Sequence, residues 1–121
     1  DKNLKTVKSI FDDLGQTMVT DESLLTAGNA LAGCGIAFIM RYVRAASEAG
    51  VELGLKADTA KNIVLQTMKG AVALLEESGS NPEAEIDKVT TPGGLTIKGL
   101  NTMEKNGFSN AVIEGIKAAR K

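Results

Sequence analysis

Histidine and tryptophan are absent from this 121-residue chain, and cysteine occurs once, at Cys34. A lone cysteine cannot form an intrachain disulfide, and without histidine the chain lacks a common metal ligand and general base. We therefore expect no metal site and no histidine-based catalytic triad. The chain also lacks an excess of charge of either sign, because 14 Lys and Arg residues nearly balance 15 Asp and Glu residues, for a formal net charge of −1. Without a strong positive field, we expect neither nucleic acid nor an anionic membrane as a partner.

Long hydrophobic runs are missing as well. The most apolar stretch, Ala30 to Met40, contains two glycines and ends at Arg41, well short of the roughly 20 residues that span a bilayer. We expect this stretch to be a buried helix segment and not a membrane anchor. The chain begins Asp-Lys-Asn, without an initiator Met or a secretory signal, which suggests a fragment or a processed product. Together with the unpaired cysteine, this favours a cytoplasmic location.

What the chain has in abundance is helical periodicity. Apolar residues recur at three- and four-residue spacing and alternating β-branched runs are nearly absent, so the predicted fold class is all-α, a helical bundle. One exception is the N-terminus, where apolar positions from Leu4 to Leu14 predict a helix that stops at Gly15, followed by a short strand over residues 17–20. That strand has no second strand to pair with. We interpret residues 1–20 as the remnant of another domain and residues 21–121 as a helical domain.

Six helical segments are predicted within the helical domain. They run from Asp21 or Ser23 to about Leu31, from Ile36 to about Leu53, from Asp58 or Thr59 to about Ser78, around Ile86 and Val89, from about Gly94 to Lys105, and to about Ala119. The helix over residues 36–53 is apolar on more than one face and needs partners on most sides. Because short helices with only four aromatic residues bury a modest core, we expect oligomerisation. A compact monomeric bundle is the alternative.

The segment Thr-Thr-Pro-Gly-Gly-Leu-Thr at residues 90–96 has the features of an anion-binding helix start. Thr91 fits the N-cap, and Pro92 fits the first helical position, where its missing N–H is no loss. The next backbone N–H groups would lack intrahelical acceptors and would favour a carboxylate or a phosphate. These donors are on Gly93, Gly94 and Leu95. The Thr96 hydroxyl, about one turn into the helix, would serve a second ligand atom, although an ordinary capped helix is the alternative.

A second glycine-containing segment joins two predicted helices, with Gly33 and Gly35 on either side of Cys34. Missing side chains would let a nucleotide ring approach, or would let neighbouring backbone pack closely. The segment is not a dinucleotide fingerprint, because no strand precedes it and the third glycine is missing. We interpret Cys34 as a small buried residue. Gly33, Cys34 and Gly35 are candidate cofactor contacts, and a role in helix packing is the alternative.

Several segments together resemble one known family. The longest is Asp-Lys-Val-Thr-Thr-Pro-Gly-Gly-Leu-Thr-Ile-Lys-Gly-Leu at 87–100, followed by segments at 104–108 and 111–114 and preceded by segments at 32–38, 51–55 and 66–71. They are similar to the signature of pyrroline-5-carboxylate reductases over nearly the whole chain. The resemblance implies a dimerisation domain like the C-terminal domain of 6-phosphogluconate dehydrogenases. It also implies that residues 3–20 are the last helix and strand of an N-terminal Rossmann domain.

The resemblance further implies a site and its ligands. The loop would receive pyrroline-5-carboxylate, with its carboxylate on the N–H groups of Gly94, Leu95 and Thr96 and its ring nitrogen on the Thr96 hydroxyl. Thr96 is thus the candidate catalytic residue, and the candidate substrate-binding residues are Thr91, Gly93, Gly94, Leu95 and Thr96. The implied cofactor is NADP or NAD, bound mainly by the missing domain, so we expect the fragment alone to be inactive. The implied partner is a second copy in a homodimer of interlocked helices, with assembly into a larger ring.

The sequence departs from the family pattern at a few positions. Ile36 stands where the family has Pro, and Ala32 and Cys34 stand where it has Ser, so hydroxyl contacts from that joint are not implied here. Leu95 is bulkier than the usual Thr or Ala. Two other readings stay open: a purely structural dimerisation module, and the helical domain of another small-carboxylate dehydrogenase. The latter usually carries a catalytic Lys with a nearby Asn, and no such pair stands out between residues 30 and 55.

Overall fold

A computed structural model describes residues 1–120 of the chain. These residues form seven α-helices and no strand, so the all-α prediction is confirmed. The helices are α1 (Lys2–Asp12), α2 (Leu25–Leu31), α3 (Gly35–Glu52), α4 (Ala57–Ser78), α5 (Pro82–Lys88), α6 (Leu95–Lys105) and α7 (Phe108–Ala118). A 3-10 turn at Glu22–Leu24 precedes α2, where the sequence predicted the first turn of an α-helix.

The short strand predicted for residues 17–20 is wrong, because these residues have no regular secondary structure. A strand needs a neighbour for its backbone N–H and C=O groups, and the described part of the chain provides none. Helix α1 also ends before Gly15, at Asp12. The Asp12 carboxylate accepts hydrogen bonds from Lys8 Nζ at 2.8 Å and from the Thr17 N–H at 3.2 Å. The bond from Lys8 makes the largest contribution to lowering the pKa of Asp12, and the bond from Thr17 lowers it further. The bond from Thr17 also holds the following segment at the end of α1.

Helices α3 and α4 form the most extensive helix pair of the fold. At their crossing, a Cβ atom built on Gly50 would lie 2.8 Å from the Cβ of Ala60. The two backbones approach this closely only because Gly50 has no side chain. Ala60 is 2% exposed at this crossing. Helix α7 completes the bundle by packing on α2 and α6, and the Phe108 ring meets the Tyr42 ring of α3 edge to face, with centroids 6.5 Å apart.

The single chain buries very little apolar surface. Ala30 and Ala60 are the only buried hydrophobic residues in the described structure, and no large side chain there is fully buried. The accessible surface is 10100 Å², whereas a compact monomer of this mass exposes roughly 6,200 Å². The single chain is therefore not a compact bundle, and oligomerisation stays the prediction. The excess of roughly 3,900 Å² per chain is larger than the share that one subunit buries in most obligate dimers, which is about half of a total of 2,000–5,000 Å².

The prediction that residues 30–40 are buried is wrong for the isolated chain, since Ile36, Ile39 and Met40 are each more than half exposed. By length and composition alone, the stretch Glu22–Glu52 is apolar enough to cross a membrane, with a mean hydropathy of 1.6 in its most apolar window. The stretch is not one continuous helix, because a turn at residues 32–34 separates α2 from α3. The expectation that no membrane is a partner stays a prediction.

Candidate functional site

The loop before α6 is a tight turn and not the first turn of the helix. The Gly94 N–H donates to the Thr91 carbonyl at 2.9 Å, and Gly93 has a φ of +71°. Pro92 in the second position and a left-handed Gly93 in the third are typical of a type II turn. Helix α6 begins at Leu95, with Gly94 as its N-cap. The predicted N-cap at Thr91 is therefore wrong, because Gly93 adopts a left-handed conformation that cannot start a helix.

Because Gly94 and not Thr91 is the N-cap of α6, a different set of backbone N–H groups is available to a ligand. The Gly94 N–H is already used inside the turn. The N–H groups of Leu95 and Thr96 occupy the first two helical positions, and among residues 1–120 neither donates to a backbone acceptor or a capping side chain. Both groups lie at the positive end of the helix dipole, which favours an anion. Of the three N–H groups that the family resemblance implies, the structure thus leaves those of Leu95 and Thr96 available, whereas that of Gly94 is bonded within the turn.

The Thr96 hydroxyl is also available. Inside helices, the hydroxyls of Thr67 and Thr102 donate to the carbonyl four residues earlier, each at 2.8 Å. The corresponding carbonyl for Thr96 belongs to Pro92, which precedes the helix, and no such bond forms. Thr96 is exposed. Its hydroxyl and the two free N–H groups therefore stand within one helical turn of each other.

Helix α5 supports the turn from the preceding side. Asn81 caps α5 by accepting the Glu83 N–H at 2.8 Å, and at the other end the Thr90 hydroxyl donates to the Ile86 carbonyl at 3.2 Å. Capping of this kind stabilises a short helix that would otherwise be marginal. The segment 90–94 is thereby anchored between the end of α5 and the start of α6.

Glu85 connects the same helix to the end of α4. Its side chain is 15% exposed and accepts a hydrogen bond from Lys88 Nζ at 2.9 Å. This bond, together with one from the Ser78 hydroxyl, lowers the pKa of the Glu85 carboxyl. Because Lys88 is paired with Glu85, we infer that the backbone donors, and not Lys88, carry the attraction for an anion at the turn.

The glycine joint between α2 and α3 packs against its own chain. A Cβ on Gly33 would collide with the Asn29 side chain, and the Cys34 N–H donates to the Asn29 carbonyl at 3.0 Å. Gly35 is buried, and Cys34 is half-buried where the sequence predicted full burial. The space beside Gly33 is therefore filled by this chain, which favours the packing role. The assignment of these residues to a cofactor stays a prediction.

One helix, α7, contacts the helices that adjoin the two candidate segments. Helix α7 packs both on α2, which leads into the glycine joint, and on α6, which follows the turn. The five candidate substrate-binding residues lie together because they are nearly consecutive in sequence, from Thr91 to Thr96.

An open groove of about 780 Å³ between α3 and α4 was not predicted from the sequence. Its apolar lining includes Ile39, Met40, Val43, Leu65, Met68 and Val72. Glu76 and Glu77 add carboxylates to the lining. The signal for the groove was present in the sequence, since both helices carry more apolar positions than one buried stripe requires.

Comparisons with known proteins find similar sequences over nearly the whole chain. A family model described as "Pyrroline-5-carboxylate reductase dimerisation" matches residues 22–121. The chain is 51% identical over 116 residues to "Pyrroline-5-carboxylate reductase 1" of Dictyostelium discoideum, covering 96% of this chain and 21% of that protein. It is 47% identical over 113 residues to "Pyrroline-5-carboxylate reductase 2" of the same organism, covering 93% of this chain and 38% of that protein.

Two solved structures have the same fold. A Plasmodium falciparum pyrroline carboxylate reductase with NADP bound superposes with a TM-score of 0.91 at 34% identity, covering 98% of this chain and 45% of that one. A pyrroline-5-carboxylate reductase from Coxiella burnetii gives a TM-score of 0.90 at 30% identity, with the same coverage of 98% and 45%. The chain spans less than half the length of each of these relatives. From the matched residues and the shared fold, we conclude that this chain belongs to the pyrroline-5-carboxylate reductase dimerisation family.

Proposed function

We propose that this chain is the dimerisation and substrate-binding part of a longer NAD(P)H-dependent reductase, which reduces 1-pyrroline-5-carboxylate to L-proline in the last step of proline biosynthesis. The observation that carries the proposal is the pair of free N–H groups on Leu95 and Thr96 at the start of α6. Family membership supplies the identity of the anion. On this reading, residues 1–20 are the end of the nucleotide-binding domain and residues 21–121 are the helical domain.

The turn orients the substrate by its carboxylate. Two backbone N–H groups and the dipole of α6 bind the anion, and the Thr96 hydroxyl hydrogen-bonds the ring nitrogen. NADPH or NADH would supply the hydride to the carbon of the C=N bond, while the ring nitrogen takes up a proton from solvent. The contribution of this chain is to hold the ring at one angle and distance, which lowers the entropic part of the barrier. No acidic or basic side chain is needed for that contribution.

The proposed cofactor site lies mainly outside these residues. The space beside Gly33 is filled by Asn29, so the joint at Gly33, Cys34 and Gly35 offers at most a secondary contact. NADPH-dependent turnover is therefore expected from the full-length protein and not from this chain alone. We place the protein in the cytoplasm, in keeping with the single free cysteine.

The proposed partner is a second copy of this chain, with interlocked helices and assembly of dimers into a larger ring. The apolar groove between α3 and α4 and the large exposed apolar surface support this assembly. The same surface supports a second candidate function, a purely structural dimerisation module whose turn binds nothing. The two candidates differ in what the residues of the turn do.

Replacing Thr96 in the full-length protein separates these candidates. Thr96→Ala is expected to lower kcat/KM for pyrroline-5-carboxylate by about 10- to 100-fold, because the ring nitrogen loses its partner, while the oligomer mass stays unchanged. Thr96→Ser keeps the hydroxyl and is the matched control, expected to stay close to the parent. Loss of the oligomer with Thr96→Ala would instead support the structural module, and full activity of Thr96→Ala would remove Thr96 from the proposed site.

A further inference from the structure

The two glycines of the turn have different surroundings. A Cβ built on Gly94 would lie 2.6 Å from Thr91 Oγ1 and 3.1 Å from the Thr91 carbonyl oxygen. Real Cβ contacts are essentially never shorter than 3.0 Å, so one of these groups would have to move. A Cβ on Gly93 would meet nothing within 4 Å, although its φ of +71° strains any other residue. Thr91 therefore covers Gly94, whereas Gly93 is open.

This contact limits what Gly94 can do for a ligand. Its N–H donates to the Thr91 carbonyl at 2.9 Å, and the position of a side chain is filled by the Thr91 hydroxyl. As the N-cap, with φ −74° and ψ 168°, Gly94 sets the direction in which the peptide enters α6. The orientation of the Leu95 N–H depends directly on that ψ angle.

Resting on the proposed function, we infer that Gly94 is a positioning residue: without a side chain it leaves room for Thr91, so that the Gly94 N–H reaches the Thr91 carbonyl, and this backbone lock aims the Leu95 and Thr96 N–H groups at the substrate carboxylate. The sequence suggested that Gly94 is a substrate contact that leaves room for a ligand. In the lock, the missing side chain instead makes room for Thr91. The two roles predict opposite results when both residues are changed together.

The test is a double-variant cycle in the full-length reductase, with pyrroline-5-carboxylate and NADPH as substrates. Gly94→Ala is expected to raise KM for pyrroline-5-carboxylate about tenfold or more, since a small misplacement of the donors weakens binding, and to leave KM for NADPH unchanged. Adding Thr91→Ala removes the Oγ1 atom that the new methyl group meets. The double variant Thr91→Ala/Gly94→Ala is therefore expected to recover most of the lost affinity. If Gly94→Ala alone does not fold, the double variant is expected to fold, because it lacks that collision.

Two control variants sharpen the cycle. Gly93→Ala is strained by its own φ angle, so Thr91→Ala is expected to give it no rescue. Gly99→Ala lies one turn further along α6, where a Cβ meets nothing within 4 Å, and is expected to leave both KM values unchanged. A Gly94→Ala protein that stays impaired after Thr91→Ala would overturn the lock, because open space at Gly94 would then be needed by the ligand itself.

A measurement that needs no activity distinguishes failure of the lock from failure of the proposed function. In ¹⁵N-labelled samples of the full-length protein, Gly94→Ala is expected to shift the amide signal of Thr96, which is not the immediate neighbour of the substitution, and the double variant is expected to return it toward its original position. Absence of that return overturns the lock. A return of the signal in a protein that does not turn over pyrroline-5-carboxylate would uphold the lock and reject the proposed substrate.

Discussion

The helix pair α3–α4 and the turn at residues 91–96 are built in opposite ways. In the helix pair, Gly50 lies so near Ala60 that an added Cβ would collide with it, and many large apolar side chains of the two helices remain exposed. In the turn, contacts within a few residues fix the backbone: the Gly94 N–H bonds to Thr91, and the α6 N-cap follows directly. The helix pair has an apolar surface that this chain does not cover, whereas the turn has hydrogen-bond donors that it does not use.

The two regions therefore depend on different partners. An apolar surface is stabilised by any partner that removes it from water, so we propose that the α3–α4 groove mediates association. Free N–H groups discriminate by charge and direction, so we propose that the turn selects the ligand. Changes in the groove are then expected to alter the oligomer, and changes in the turn are expected to alter the KM for substrate.

The largest effect is expected from a charge in the groove. Met40→Glu places a carboxylate among Ile39, Val43 and Leu65, and burial of an unpaired charge in the dimer costs about 3–5 kcal/mol. We expect the dimer to dissociate at micromolar concentration, as measured by sedimentation velocity. Met40→Leu keeps the apolar volume and is the control. A dimer that tolerates Met40→Glu would show that this groove is not the interface.

A smaller effect, confined to catalysis, is expected from removing one donor of the turn. Leu95→Pro deletes the N–H of the first helical position, where proline is well tolerated, and the extended conformation of Gly94 suits a residue that precedes proline. The loss of one charge-assisted hydrogen bond is worth about 1.5–3 kcal/mol, or roughly 10- to 150-fold in kcat/KM for pyrroline-5-carboxylate in the full-length enzyme.

Leu95→Ala is the matched control, because it shortens the same side chain and keeps the N–H. It is expected to remain within a few-fold of the parent. Equal losses in the proline and alanine variants would assign the effect to the side chain and contradict a backbone contact.

Tightening the helix crossing is expected to act on stability. Gly50→Val forces a branched side chain against Ala60, where even a Cβ is 2.8 Å away, and overpacking of this kind costs about 1–3 kcal/mol. Urea denaturation monitored by circular dichroism measures the change. Gly28→Ala in α2 is the control, because an added Cβ there meets nothing within 4 Å. It is expected not to lower the free energy of unfolding. If Gly50→Val leaves the free energy of unfolding unchanged, α3 and α4 can move apart at this crossing without cost.

The smallest effect is expected from Glu85 at low pH. Its hydrogen bonds with Lys88 and Ser78 lower its pKa in the folded state, so they stabilise the fold above the ordinary pKa of a glutamate. That stabilisation is lost as the pH falls through the lowered folded-state value. Glu85→Gln should therefore melt below the parent near neutral pH, and the two melting temperatures should converge in acid. A difference that is constant with pH would contradict this role.

The helices were predictable because their signals are local. The apolar spacing in residues 57–78 defines α4 without reference to any partner. For α5 the sequence predicted only a short helical segment around Ile86 and Val89, whereas the helix begins at Pro82 and ends before Val89. The strand over residues 17–20 was predicted wrongly because strand formation depends on a neighbour outside the local sequence. The prediction that Ile36 and Met40 are buried was wrong for a similar reason. Periodicity identifies an apolar face of a helix but does not say which other part of the molecule, or which partner, covers that face.

The site was predictable in composition but not in geometry. The sequence identified the Thr-Pro-Gly-Gly segment as a helix start with free donors. It placed the N-cap at Thr91 because threonine and proline favour the positions they would then occupy. The left-handed Gly93 moves the start of α6 to Leu95. The turn that joins Thr91 to Gly94 did have a sequence signal, since Pro followed by Gly is typical of a type II turn, but the position of the Thr91 hydroxyl beside Gly94 depends on how the turn closes in three dimensions.

We propose that the exposed apolar surface of this chain is an interface for a second copy. Light scattering across a dilution series measures the mass of the chain in solution and tests this interface. We expect a particle of twice the 12.6 kDa chain mass, or a larger multiple, that persists on dilution. A stable monomer with the same helical content would contradict it, because these apolar helices would then remain in water without a partner.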